Sequence, residues 1–480
     1  MVDFFLTAGL TLVVFGVFTA LMHFRIRAPP RMPGSTLTPF AAPPESIWRC
    51  VELALGSVLF FPWRCALFFL GLFLAWFFAV LKPMFKTRKA HGLWRGLMKK
   101  AARIIAFALG TWWIETTGSP VSYQEAPIIV ANHTGFMDSV ILFAFFLPSV
   151  VMAKEYEKFW IVGTIVKSLN AIPVDRTNAD SRKAVSVAIQ TRATQTEWQN
   201  QTQVLVFPEG TTSNGSCLLQ FKLGAFAPGL PVQPVAVHFP FWQPCWVSGG
   251  SSLGGLFFKL MASFWTRTQV TFLPIIGPCD TNKKEEFAHE ARRRMAQALK
   301  CPITNYSHVD VNMVETVQML TTKYKLSKSS SHNVLRGIEF ESARLSCPAL
   351  TPEIATTLLH NFFQFCGRDG WFIRLEKLNP YYKKGFIRVL CLDSEDMKAK
   401  ISFYNFLAAF VSLSRADLSS NIWNTVLHVN SDPRLPLEHD KLLFSESDID
   451  KWILSAPPST SKSEITFKNN VLSCLFIPIN

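Results

Sequence analysis

The 480-residue chain is 49% hydrophobic and only 17% charged, with a mean hydropathy of +0.21. That is too apolar for an ordinary cytosolic enzyme of this size, so part of its surface is expected to meet lipid. A formal net charge of +14 admits nucleic acid, anionic lipid or a phosphorylated substrate such as CoA. The basic residues settle the order of preference: Arg25, Arg27 and Arg31, like Lys82, Lys86, Arg88 and Lys89, flank apolar stretches instead of forming a tract in a soluble region. Anionic lipid is favoured and no nucleic acid partner is expected. The 10 cysteines are scattered, with no CxxC pair, which argues against a zinc site or a disulfide framework.

Residues 4–23 are almost uninterruptedly apolar and about long enough to cross a bilayer. Asp3 stands where a signal peptide would be basic, and 25–33 make a poor cleavage site, so 1–27 reads as an uncleaved anchor. Arg25, Arg27 and Arg31 place its C-terminal side in the cytosol. A Pro-rich linker is expected over 28–50. The second apolar block, 51–81, is interrupted by Pro62 and Arg64 and is basic at both ends. A hairpin that enters and returns satisfies both flanks; the competing reading is one long crossing helix with Arg64 facing protein. Residues 103–114, ending in Trp112-Trp113, read as an interfacial helix, so 51–115 is assigned to the membrane.

From 116 to 326 the texture is α/β. Strands are expected at 126–131, 151–153, 171–174, 204–207, 231–239 and 269–276, alternating with helices at 136–147 and 181–198. This predicts a mixed sheet flanked by helices. Residues 280–299 read as a basic surface helix, 327–335 as a linker, 336–455 as mostly helical and 456–480 as a tail. Windows at 365–376, 394–405 and 430–441 have the spacing of EF-hand loops. Ser394 and Asn405 replace the first acidic ligand and the terminal Glu, and Phe365, Arg434 and Lys441 stand where ligands are needed, so tight Ca²⁺ binding is not expected. A degenerate EF-hand-like region and helical packing without calcium ancestry both stay open.

Two constellations carry chemistry. Asn132-His133-Thr134-Gly135-Phe136-Met137-Asp138 lies between a buried strand and a helix. Asp138, in the first turns of that helix, can hold the His133 imidazole in one tautomer and stabilise it once protonated, as a general base requires. A helix-capping motif with a packed histidine fits the same residues. Phe207-Pro208-Glu209-Gly210-Thr211-Thr212-Ser213 leaves a second strand as a polar turn suited to phosphate or glycerol oxygens. Arg176, in Ile172-Pro173-Val174-Asp175-Arg176, can bind phosphate bidentately. Gly229-Leu230-Pro231-Val232-Gln233-Pro234-Val235 is an apolar strand entry. Gly250-Ser251-Ser252-Leu253-Gly254 matches the G-x-S-x-G nucleophile elbow, but the Gly- and Ser-rich run around it reads as a loop, not the buried strand an elbow needs.

In this order the four segments, over roughly 127–241, resemble the glycerophospholipid acyltransferase family that carries the H-x4-D motif, and within it the lysophosphatidylcholine and lysophosphatidylethanolamine acyltransferase branch. The resemblance implies His133 as base, Asp138 as its partner, and Arg176, Glu209, Gly210 and Thr211 on the acceptor side. It implies acyl-CoA as co-substrate without a metal or other cofactor, a lysophospholipid as acceptor, membrane lipids as surroundings, and the cytosolic face of the endoplasmic reticulum membrane. Some members of the branch carry EF-hands after the catalytic domain. A glycerol 3-phosphate or lysophosphatidic acid acceptor suits the same residues, and a non-catalytic lipid-binding scaffold is the alternative of another class. The sequons at Asn132, Asn200, Asn214 and Asn305 add to the case for the cytosol, because a glycan on Asn132 would abut His133.

Overall fold

The computed structural model describes residues 39–40, 47–174, 179–197, 202–240, 244–247 and 252–323, with isolated positions between 352 and 401. The expected anchor (1–27), most of the linker (28–50), Arg176, the linker at 327–335 and the tail lie outside the described residues. Two compact units divide the chain, Met1–Thr304 and Asn305–Asn480.

Three helices open the first unit: α1 (Ile47–Leu59), α2 (Phe61–Leu81) and α3 (Arg88–Ala108). Helix α1 thus begins inside the stretch read as linker. The apolar block does break where its sequence predicts, because Pro62 at the start of α2 has no N–H to continue the α1 ladder. Arg64 faces protein: its guanidinium donates to the carbonyls of Met261 (2.9 Å), Phe264 (3.2 Å) and Ser263. The expected interfacial helix at 103–114 is a correction. Thr87 caps α3, which starts fifteen residues earlier at Arg88 and ends at Ala108, and Ile114 already belongs to a strand.

The sheet follows, its elements in chain order being β1 (Ile114–Thr117), β2 (Ile128–Ala131), α4 (Phe136–Phe145), β3 (Ser149–Ala153), α5 (Trp160–Ser168), β4 (Ile172–Val174), α6 (Ala179–Ala193), β5 (Val204–Val206), β6 (Val232–His238), α7 (Leu253–Ala262), β7 (Thr268–Phe272) and α8 (Lys284–Leu299). Spatial order is β1-β7-β6-β2-β5-β3-β4. All pairs are parallel except β6 with β7, so the sheet is mixed, as expected. Strand β2 reads Ile-Ile-Val-Ala because it is central and buried on both faces. Ile129 and Ala131 enter one core with Met137, Ile141, Leu256 and Leu260; Ile128 and Val130 enter the other with Val204, Ala291 and Met295. Each fully buried Ile or Val there contributes roughly 1.5–3 kcal/mol. Helix α8, expected on the surface, buries Phe287, Ala288, Ala291 and Met295 against the second core. Its seven charged residues hid that stripe.

In the second unit, helix α9 (His308–Lys323) is described, along with a two-residue antiparallel pair, β8 (Ile373–Arg374) with β9 (Lys400–Ile401). These two strands fall within two of the EF-hand-like windows. The remaining residues of those windows lie outside the described residues.

Candidate active site

Parallel pairing decides what lies beside what. Strands β2 and β5 are in register at Ile128↔Val204, Ile129↔Leu205 and Val130↔Val206. Three residues further along each chain, that register sets His133 opposite Glu209. The two motifs, 76 positions apart in sequence, therefore emerge together from the same end of adjacent strands, and the His133 N–H donates to Glu209 Oε1 at 2.8 Å.

The strand–helix turn is shaped by Asp138. Its carboxylate, fully buried, accepts the N–H of Thr134 (2.6 Å), the N–H of Gly135 (2.9 Å) and the Thr134 hydroxyl (3.1 Å). It also lies 3.1 Å from His133 Nδ1. One side chain therefore has the geometry that both readings need, closing the turn before the helix and facing the imidazole. A proton on Nδ1 donated to Asp138 leaves the lone pair on Nε2. The imidazole stacks on Phe207 with ring centroids 3.9 Å apart. It is the accessible member of the pair, 21% exposed against 0% for Asp138.

Several side chains hold the turn in place. Asn132 is clamped to β6: its amide donates to the Val237 carbonyl (2.9 Å) and its oxygen accepts the Val237 N–H (2.8 Å). Ser213 N–H donates to the His133 carbonyl at 3.0 Å. A strap at 244–247 crosses above, where Trp246 N–H donates to the Thr134 carbonyl (2.8 Å) and the Thr212 hydroxyl donates to the Trp246 carbonyl. No periodicity marks these partners, since each joins segments distant in sequence. Only their membership of polar turns was visible.

Glu209 is 1% exposed, and its second oxygen accepts the Leu219 N–H at 3.1 Å. Burial pushes its carboxyl up to about 7, against the opposing effect of the two N–H donors. Gly210 adopts φ +68°, which favours glycine, and the end of the Lys222 side chain lies 2.6 Å from where a Cβ would be. Lys222 thus lies over the turn that carries half-buried Thr211. Strand β4, which Arg176 follows by two residues, is three strands from β2, about 14 Å at ordinary spacing.

Against α4 lies an apolar cavity of about 190 Å³. Phe136, Val140 and Phe143 of α4 line it together with Phe68 of α2, Met98 of α3 and Phe257 of α7. Phe136, the first residue of α4, stacks on Phe257 at 4.5 Å. The G-x-S-x-G serine is accounted for otherwise: the Ser252 hydroxyl accepts the Gly255 N–H and caps α7, and 244–247 before it form no strand.

Residues 113–238, from β1 to the end of β6, match the Acyltransferase family. That stretch has the sequence pattern of an acyltransferase domain. The dyad and Glu209 all fall inside it. The chain is similar to lysophosphatidylcholine acyltransferase 2 of Mus musculus, 33% identical over 287 residues, covering 57% of this chain and 52% of that protein. Lysophosphatidylcholine acyltransferase 1 of Danio rerio is 32% identical over 276 residues, covering 55% and 53%. The chain thus spans about half the length of the curated relatives it matches. Among solved structures, the 1-acyl-sn-glycerophosphate acyltransferase PlsC of Thermotoga maritima is matched at 19% identity and a TM-score of 0.34, over 49% of this chain and 98% of that one.

Proposed function

We propose that this protein transfers a fatty-acyl group from acyl-CoA to the free hydroxyl of a lysophospholipid. The observation that carries the reading is the His133–Asp138 pair at 3.1 Å, with only the imidazole accessible, inside a stretch with the sequence pattern of an acyltransferase domain. A lysolipid hydroxyl is too weakly acidic to attack a thioester unaided. His133 takes its proton as the oxygen bonds to the carbonyl carbon, Asp138 stabilises the imidazolium, the C–S bond breaks, and CoA thiolate leaves and takes the proton back. Gly210, Thr211 and Arg176 serve the acceptor side. The apolar cavity beside α4 takes an acyl chain, since walls that are apolar throughout suit a hydrocarbon chain. The names of the relatives favour lysophosphatidylcholine as acceptor.

The enzyme acts at a membrane, on its cytosolic side. Residues 61–84 form one helix long and apolar enough to cross a bilayer by length and composition. Yet α2 runs antiparallel along α3, as Trp63 meets Phe107 at 6.2 Å and the Trp94 indole donates to the Phe78 carbonyl at 2.8 Å. A crossing α2 would draw Lys99, Lys100 and Arg103 of α3 into hydrocarbon, each at a cost of roughly 2.5–3.5 kcal/mol. Phe69, Leu70, Phe73 and Phe77, exposed on α2, instead enter one leaflet and return. Membranes holding the protein, supplied with labelled acyl-CoA and a panel of lysophosphatidylcholine, lysophosphatidylethanolamine, lysophosphatidic acid and glycerol 3-phosphate, test the reading. Labelled phosphatidylcholine or phosphatidylethanolamine is expected; transfer to the two phosphate acceptors alone, or to none, would refute it.

A further inference from the structure

The acceptor-side role that resemblance assigns to Glu209 sits poorly with its surroundings. A residue that meets a phosphate or a glycerol oxygen needs a free polar edge, and a phosphate needs donors, not a second anion. Glu209 is 1% exposed. Both of its oxygens accept backbone N–H groups, Oε1 from His133 at 2.8 Å and Oε2 from Leu219 at 3.1 Å. What it does touch is the peptide of the catalytic histidine. The same peptide is held on its other side, where Ser213 N–H donates to the His133 carbonyl. The loop that leaves β5 therefore grips His133 before and after its Cα, while Asp138 orients the ring. Leu219, ten residues beyond Glu209, ties this grip to the buried segment at 217–219.

We infer that Glu209 is a positioning residue for His133, acting through the backbone, and not a contact for the acceptor. This rests on the acyl-transfer reading above. A carboxylate suits the task because it offers an acceptor oxygen to each of two N–H donors. Glutamine keeps the shape but offers one acceptor, and turns its amide N–H₂ toward the other donor. The catalytic ring then shifts without any change in the substrate sites. Displacements of this kind cost up to about 10²-fold in rate.

The experiment is steady-state kinetics of the full chain in membranes with Glu209→Gln, varying acyl-CoA and lysophosphatidylcholine separately. A kcat lower by roughly 10–100-fold, with both KM values within twofold of wild type, is expected. A raised KM for the lysolipid with kcat kept would overturn the inference and restore the acceptor-side role, and so would wild-type behaviour in both parameters. Glu209→Met, which removes the acceptors along with the buried charge, should show the same split and serves if the glutamine variant fails to accumulate. Should neither variant fold, the carboxylate is a folding requirement and the positioning role is wrong. Wild-type membranes that transfer no acyl group would instead sink the acyl-transfer reading itself, a result separate from all of these.

Discussion

Replacing His133 with alanine removes the imidazole but keeps the hydrogen bonds that shape the β2–α4 turn, since these run through its backbone and through Asp138. His133→Ala is therefore expected to lose about 10²–10⁴ in rate with its thermal midpoint almost unchanged, as read by tryptophan fluorescence in detergent. Asp138→Ala should lose both, because the same carboxylate orients the ring and accepts the Thr134 and Gly135 N–H groups. A capping loss of about 1–2 kcal/mol is expected in its unfolding free energy; an unshifted midpoint would separate the two roles. Glu209 supplies a pH signature. Its carboxyl is raised from the ordinary 4.5 to about 7 by burial, with Asp138 adding to the rise and Arg292 opposing it. The folded state holds a proton that the unfolded chain releases, so this group's stabilisation is present below 4.5 and is lost as pH rises through about 7. Wild-type stability should fall relative to Glu209→Gln across that window. Parallel curves for the two proteins would contradict the raised value.

Helix α1 meets the catalytic domain through unusually close backbone contact. A Cβ on Gly56 would lie 1.7 Å from the Ala262 carbonyl oxygen at the end of α7. The contact is reinforced by Arg49, which donates to Ser263 Oγ (2.7 Å) and Glu52 (2.8 Å), and by Glu52, which accepts the Phe264 N–H (2.9 Å). Arg64 of α2 grips the same turn. These bonds fasten α1 and α2 to α7, whose Phe257 packs on Phe136 of α4. Gly56→Ala should force α1 off the turn at a cost of about 1–3 kcal/mol, opening α1 to limited proteolysis. A digestion pattern identical to wild type would mean that the turn yields without releasing the helix.

For the whole molecule, one expected outcome concerns sidedness. Asn132 is 4% exposed and its amide bonds to Val237 of β6, so a glycan on that nitrogen would have no room where β2 meets β6. That strengthens the case for a cytosolic domain. A tag inserted near Ser330 should be digested by protease added to sealed microsomes, and cysteines placed at Trp48 and Lys86, at the two ends of the hairpin, should react with an impermeant maleimide from that same side. Reaction of one end only after the membrane is opened would show that α2 crosses.

Much of this was legible in the chain because it depends on local pattern. The all-apolar run at 128–131 announced a strand buried on both faces, Pro62 announced the break between α1 and α2, and His133 with Asp138 announced a turn at a strand–helix junction, since five residues span that turn. Periodicity reports burial only where one stripe dominates, so the sequence of α8 reads as a surface helix, and only the last, most apolar third of α3 stands out. What tertiary structure alone decided were the contacts between distant segments. Parallel register sets His133 against Glu209, and only that pairing shows a carboxylate serving a backbone N–H in place of a substrate. Helix α2 is as long and apolar as a membrane span, a property of its own residues; what it can cross depends on the charged helix packed along it, which composition does not report.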